Sequence, residues 1–101
     1  GAAFVVVVLP AREQVVDRYW EENRHALSLL PEQLDREAPQ RRLAAWSART
    51  GTPLIDLLPG MRAAGRDNLF LKTDPHLTPA GHALAAGLIR DGMARLGLLR
   101  P

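Results

Sequence analysis

The chain carries the run DPHLTPAGH at residues 74–82. Asp74 stands two residues before His76, and in an extended backbone the side chains of residues i and i+2 leave on the same side. The carboxylate can therefore bind one ring nitrogen of His76 and leave the other nitrogen free. A carboxylate that orients an imidazole, which then acts as general base and acid, makes up two of the three groups of a serine catalytic triad. We therefore take Asp74 and His76 as candidate catalytic residues.

The neighbours of this pair predict a rigid connection to a helix. Pro75 disfavours the α region for Asp74 and fixes its own φ angle. Thr78 followed by Pro79 is typical of a helix N-cap with proline at the first helical position. His76 is therefore expected on a short, stiff segment that leads into the last helix.

Two other interpretations of the same run remain open at this stage. Asp-Pro-His is also the composition of an ordinary polar turn, in which His76 is a surface residue. His82 lies six residues after His76. Asp74, His76 and His82 are carboxylate and imidazole groups, which are ligand types that zinc prefers. Their spacing matches no recognised zinc motif, and a helix-start position for His82 is the simpler interpretation.

The rest of the chain predicts alternating strands and helices. Continuous apolar, β-branched runs are typical of parallel strands that are covered on both faces. The predicted order is a strand at Phe4–Leu9, an amphipathic helix after Pro10 to about Leu30, a helix from about Pro39 that ends at Gly51, a strand at Leu54–Leu58 ended by Pro59-Gly60, a short helical turn or loop at Arg62–Asn68, and a helix from Pro79 to about Leu96. Right-handed crossovers make such strands parallel, and ligands bind beyond their carboxyl ends. The loop with Asp74 and His76 follows the second strand and is expected at that edge.

The block Asn68–His82, with the alanine-rich helix that follows, resembles the last conserved block of the SGNH (GDSL-like) hydrolases, which supplies their catalytic Asp and His. Val5–Pro10 resembles a late strand of that fold, and Leu54–Pro59 resembles the strand before the Asp-His block. The polysaccharide O-acetyltransferase branch of the alginate-acetylation type shows a similar order. The resemblance implies an α/β chain with a partial three-layer α/β/α, flavodoxin-like fold, in which parallel strands have flanking helices. Residues 1–101 are then the C-terminal portion of a single SGNH hydrolase-like catalytic domain.

The chain also departs from the family pattern. The family places its nucleophile in an N-terminal Gly-Asp-Ser block and takes oxyanion-hole groups from a Gly and an Asn of two later blocks. Ser28 and Ser47 are the serines of this chain, and neither stands in such a block. Asn23 and Asn68 lack the expected context, and Leu77 stands where the acetyltransferase branch often has Trp. We therefore expect the nucleophile to lie outside this chain, and the chain alone to be inactive.

The resemblance implies a serine ester hydrolase or acyl transferase that acts on an acyl ester or an acetylated carbohydrate, with no metal or organic cofactor. A polysaccharide O-acetyltransferase is one alternative. A non-catalytic α/β interaction or dimerisation module is another, because two strands can hardly bury Phe4–Leu9 on both faces. In that case a homodimer is expected through the exposed sheet edge and helix faces.

The composition of the chain limits the classes of partner that it is expected to bind. The 101 residues are 47% hydrophobic and carry 13 basic and 11 acidic side chains, without cysteine. No basic stripe with interleaved aromatic residues is present, so no nucleic-acid partner is expected. No apolar stretch is long enough to predict a membrane span. The absence of cysteine does not define a compartment, and the resemblance is compatible with a bacterial protein that is exported or periplasmic.

Several other conspicuous residues are expected to have structural roles. Trp20 and Trp46 are predicted to anchor the core, and Asp56 to hold loop amides at the end of its strand. His25, among Glu and Arg residues, is predicted to be exposed.

Overall fold

The computed structural model describes residues 2–99, which fold as a mixed α/β chain. Both strands are short, and the longest helix is the last one. Within the described residues the elements are β1 (Val6–Val8), α1 (Arg12–Val15), α2 (Asp17–Ala26), a 3-10 turn (Pro31–Gln33), α3 (Ala38–Thr50), β2 (Leu54–Asp56), α4 (Leu58–Ala63) and α5 (Pro79–Arg95). None of these helices is long and apolar enough to cross a bilayer.

The two strands pair in parallel, as predicted. Val6 lies opposite Leu54, and Val8 lies opposite Asp56. The Val6 N–H donates to the carbonyl of Pro53 (3.0 Å), and the Leu57 N–H donates to the carbonyl of Val8 (3.1 Å). The carboxyl ends of both strands therefore meet at one edge of the sheet.

Helices lie on both faces of β2. Gly92 of α5 packs directly on Ile55, where a Cβ atom would come within 2.7 Å of the isoleucine Cγ2. Asp56, the next residue, borders a cleft together with Gln40 and Ala44 of α3. Because successive side chains of a strand point to opposite faces, α5 and α3 cover opposite sides of the strand.

The hydrophobic core is small and lies beneath the carboxyl end of β2. Its residues come from α1, β2, the junction between β2 and α4, α4, α5 and the segment that precedes the Asp74–His76 run. They are Val15, Ile55, Leu57, Leu58, Met61, Leu69, Phe70 and Ala85. By contrast, the side of β1 remains open, with Phe4 70%, Val7 37% and Leu9 55% exposed. Double-sided burial of Phe4–Leu9 is therefore not achieved within the described residues.

The second strand is shorter than predicted because Leu57 is the N-cap of α4 and Leu58 is its first residue. Leu58 and Pro59 belong to α4, so the prediction that Pro59-Gly60 ends a strand is wrong. Proline is favoured in the first turn of a helix, because the N–H groups of that turn have no hydrogen-bond partner within the helix. The Asp56 side chain accepts the Leu58 N–H (3.0 Å), which confirms the predicted structural role of this carboxylate.

The predicted helix from Pro10 to Leu30 is interrupted. Val16 has an extended backbone (φ −108°, ψ 115°) and separates α1 from α2. β-branched residues have low helix propensity, and two of them in succession make this break easy. Trp20 and Trp46 are half-buried and lie outside the core, so their predicted role as core anchors is wrong. The Arg36 guanidinium instead covers the Trp20 ring at 5.5 Å from its centroid.

The two longer helices agree with the sequence. Gly51 ends α3 with a left-handed backbone (φ 72°), and its N–H donates to the Ser47 carbonyl (2.9 Å). Thr78 caps α5 as predicted, since its hydroxyl accepts the Gly81 N–H (3.0 Å).

Candidate active site

Residues 70–77 form a tight antiparallel hairpin, called the site hairpin below. Phe70 and Leu77 pair as an isolated β-bridge at its base. The Leu71 N–H donates to the carbonyl of His76 (2.8 Å). Asp74 therefore lies in the loop at the tip, and His76 lies on the returning arm.

The base of the site hairpin is fixed to the core and to α5. Leu69 and Phe70 are buried, with 0% and 4% of their surface exposed. The Thr78 N–H donates to the Leu69 carbonyl (3.0 Å), and the Thr78 hydroxyl donates to the Asn68 carbonyl (2.5 Å). A Cβ atom at Gly81 would overlap the Leu69 carbonyl oxygen, so only glycine lets the helix start so close to this segment.

Asp74 and His76 are in direct contact. One carboxylate oxygen, Oδ1 of Asp74, accepts both the backbone N–H of His76 (2.8 Å) and its ring Nδ1 (2.9 Å). The predicted contact is therefore present. The backbone, however, forms an Asx-turn, in which the Asp74 side chain accepts the N–H two residues on, and not an extended strand. The ring itself is open, because 82% of the His76 side chain is exposed.

Electrostatics favour a charged Asp74. The backbone N–H of His76 and then its ring nitrogen lower the pKa of Asp74 below its ordinary value, and the charge of Arg12 contributes in the same direction. An ionised carboxylate only accepts hydrogen bonds, so Nδ1 of a neutral His76 carries the ring proton. The lone pair of Nε2 is then free to accept a proton from a reactant.

The site hairpin lies at the carboxyl edge of the sheet, where the sequence predicted it. Leu9 and Leu57 are the first residues after β1 and β2, and both border an apolar cleft of about 340 Å³ together with Leu77. Arg12, at the start of α1, donates a hydrogen bond to the carbonyl of Leu71 (3.4 Å). Open parallel sheets bind their ligands at this edge.

Comparison with protein-family models, with curated proteins and with solved structures gives no match for this chain. The resemblance to SGNH hydrolases is therefore carried by the sequence motifs alone.

The serines of the chain lie away from the pair. The Ser47 hydroxyl donates to the carbonyl of Thr52 (2.5 Å), just before β2 begins. Ser47 is thus at the amino edge of the sheet, opposite the site hairpin. Ser28 follows α2 as an exposed residue with a left-handed backbone (φ 55°). Within residues 2–99, neither serine forms a hydrogen bond with His76.

The other histidines do not join the pair. His82 is an exposed residue of α5 that borders the apolar cleft. In the described part of the chain, Asp74, His76 and His82 do not assemble into a three-ligand metal cluster, so the zinc interpretation has no geometric basis. The His25 side chain is 72% exposed beside Glu21, as predicted.

A larger cleft, of about 430 Å³, lies between α3 and α4. Its charged residues Glu37 and Arg62 pair with each other. Neither Asp74 nor His76 borders this cleft, so its size alone does not make it the site of the chemistry.

Arg12 and Leu71 are the site residues that sequence reasoning missed. A signal for Arg12 existed, because the first residue of a helix that follows a parallel strand lies at the ligand-binding edge. Nothing in the sequence marked Leu71, whose backbone rather than side chain makes the contact.

Proposed function

We propose that this chain supplies the Asp-His pair of a Ser-His-Asp triad in a serine ester hydrolase or acyl transferase of the SGNH type. Asp74 orients His76, and His76 is the general base and acid. The serine nucleophile belongs to a part of the protein outside this chain, within a three-layer α/β/α catalytic domain. The observation that carries the proposal is the 2.9 Å contact between Nδ1 of His76 and Oδ1 of Asp74 beside an exposed ring.

The geometry suits a two-step acyl transfer. Nε2 of His76 removes the proton from the serine hydroxyl as the serine oxygen attacks the ester carbonyl. The same nitrogen returns the proton to the departing alcohol, which leaves an acyl-serine. In the second step His76 removes the proton from the incoming hydroxyl group as its oxygen attacks the acyl carbon, and then gives that proton to the serine oxygen as the ester bond to serine breaks. Water as acceptor makes the protein a hydrolase, whereas a sugar hydroxyl makes it a polysaccharide O-acetyltransferase.

Two further observations support this proposal over a simple surface turn. The site hairpin is fixed by backbone hydrogen bonds to buried residues, although its tip is polar and exposed. It also stands at the carboxyl edge of parallel strands, and a surface turn has no reason to prefer that edge.

The test uses the product of the full reading frame that contains these 101 residues. A fluorophosphonate probe reacts with serines that a neighbouring base activates. We expect it to label one serine outside this chain, and we expect His76→Ala to reduce the rate of labelling by about 10²-fold or more. His25→Ala is the matched control, because it removes an exposed imidazole whose contacts are with Glu21 and Arg24 of its own helix.

Labelling of Ser28 or Ser47, or equal labelling of the wild-type protein and His76→Ala, would refute the proposal. The 101 residues alone should hydrolyse p-nitrophenyl acetate no faster than their His76→Ala variant, since the nucleophile is missing. A burst of product that depends on His76 would show that a serine of this chain is used.

The exposed apolar side of β1 favours a second candidate function. Val7 of β1 and the flanking residues Phe4 and Leu9 are exposed, and the outer edge of β1 has no partner in residues 2–99. Unpaired strand edges are templates for association with another chain. We infer that, if the serine test fails, this chain acts as an α/β module that forms homodimers through this edge.

A further inference from the structure

Arg12 connects the end of β1 to the site hairpin. It is the first residue of α1, and the Ala11 N–H before it donates to the Gln14 side chain (3.0 Å), which fixes the start of this short helix. The side chain of Arg12 is 17% exposed although it stands at the sheet edge. A charged side chain so deeply enclosed requires specific partners.

Besides the carboxylate of Glu13, whose Oε1 lies 3.7 Å from Nη2, the guanidinium group has two partners. Its carbon lies 3.9 Å from the ring centroid of Tyr19, a buried residue of α2. On its other side, Nη1 donates to the Leu71 carbonyl (3.4 Å). Within residues 2–99, the buried Nε atom has no hydrogen-bond partner, so the guanidinium group is held by the Tyr19 ring, the Glu13 carboxylate and the Leu71 carbonyl.

Leu71 is the link between Arg12 and the pair. Its carbonyl accepts from Arg12, while its N–H donates to the carbonyl of His76 (2.8 Å). One residue, Leu71, therefore links the guanidinium group to the backbone of the candidate base. The positive charge also stands near enough to Asp74 to act on the carboxylate in the same direction as His76 does.

We propose that Arg12 is a positioning residue, which seats on Tyr19 and holds the site hairpin so that the Asp74–His76 contact persists. The proposal rests on the function proposed above, because it assigns Arg12 a role toward that pair. Arg12 does not touch a reactant. Its effect passes through the backbone of Leu71 and through its charge.

The test is NMR of the 101-residue chain. In the wild-type chain at about pH 9, where imidazoles are neutral, the ring ¹⁵N shifts of His76 should show the tautomer with the proton on Nδ1. In Arg12→Gln these shifts should move toward those of exposed His25. Hydrogen exchange of the Leu71 amide should become faster by on the order of tenfold, the equivalent of about 1.4 kcal/mol, which is within the range of a partly desolvated stacking contact.

Two further variants make the test specific. Arg18 also covers Tyr19 (4.7 Å from the ring centroid) and donates to its hydroxyl (2.9 Å), but it makes no hydrogen bond to the site hairpin within the described chain. Arg18→Gln should therefore change the spectra of His76 and Leu71 much less than Arg12→Gln does. Arg12→Lys keeps the stem and the charge, so it should fold even if Arg12→Gln does not. A single ammonium cannot stack on Tyr19 and reach Leu71 together, so Leu71 exchange should still become faster.

Failure of this inference differs from failure of the proposed function. Unchanged His76 and Leu71 spectra in a folded Arg12 variant, or equal changes in Arg18→Gln, would overturn the role of Arg12 even if serine labelling depends on His76. A clear response of His76 to Arg12→Gln, without any serine labelling in the full product, would keep Arg12 as the support of the hairpin and remove the catalytic function.

Discussion

At the scale of single residues, one carboxylate oxygen organises the candidate site. Oδ1 of Asp74 receives both the backbone and the ring N–H of His76, so a turn of three residues contains the whole pair. The spacing predicted this contact because the two residues are neighbours in the chain. The exposure of the ring was outside the reach of sequence reasoning, since it depends on what packs nearby.

The acid response of stability should depend on Asp74. Because His76 lowers its folded pKa, the ionised carboxylate contributes stability that is present above its unfolded pKa, near 3.8. That stability is lost as the pH falls through the lower, folded value. Asp74→Asn should therefore lose less stability than the wild-type chain between about pH 5 and pH 2. The measurement is the urea midpoint across this range.

Asp67→Asn is the matched control for this prediction. Asp67 is an exposed carboxylate in the segment just before the site hairpin. Its replacement removes a carboxylate without altering the Asp74–His76 contact, so the acid response that this contact causes should remain. Parallel slopes for Asp74→Asn and the wild-type chain would show that the pair does not form in solution.

At the scale of elements, α5 and the site hairpin form one unit. Thr78 caps the helix and also holds the Asn68 carbonyl, and Gly81 allows the helix to meet Leu69. The sequence predicted α5 and its cap because both follow from local rules. The end of β2 was misplaced, since Leu57 and Leu58 are apolar in a strand or in a buried helix start, and only tertiary packing distinguishes the two.

Two glycines of α5 offer a paired test of this unit. Gly81→Ala should destabilise the chain by about 1–3 kcal/mol, because its Cβ atom would overlap a backbone oxygen that cannot move aside. Gly87→Ala should stabilise the chain by about 0.5–1 kcal/mol, because no atom lies within 4 Å and alanine favours the helix. Urea denaturation measures both changes. Equal effects at the two positions would contradict the close approach of α5 to Leu69.

At the scale of the whole molecule, the chain is open on one side. Its radius of gyration is 15.2 Å, whereas a compact domain of about 100 residues has about 13 Å. Its core gathers around β2, and β1 contributes little to it. The apolar run Phe4–Leu9 was correctly predicted to include a parallel strand. Its composition does not tell whether the residues that bury this strand belong to the same chain.

Self-association follows from this open side. We expect the 101-residue chain to form dimers or larger species as its concentration rises, measured by size-exclusion chromatography with light scattering. Leu9→Lys should weaken association, because it places a charge beside the open edge of β1. Leu27→Lys is the control, since Leu27 is equally exposed (57% against 55%) but lies at the end of α2. A monomer at all concentrations, or equal effects of both variants, would contradict association through β1.

The exposure of His76 also has a consequence for how the pair responds to its surroundings. With 82% of its side chain in solvent, the ring interacts with Asp74 through a medium close to bulk water. Two charges attract about four times more strongly where the effective dielectric constant is about 20 than in water, where it is about 80. A surface that closes over the site hairpin therefore strengthens the attraction between Asp74 and a protonated His76, but it also removes both groups from water, which costs free energy. The ring resonances of His76 thus report, from within the molecule, whether such a surface has arrived.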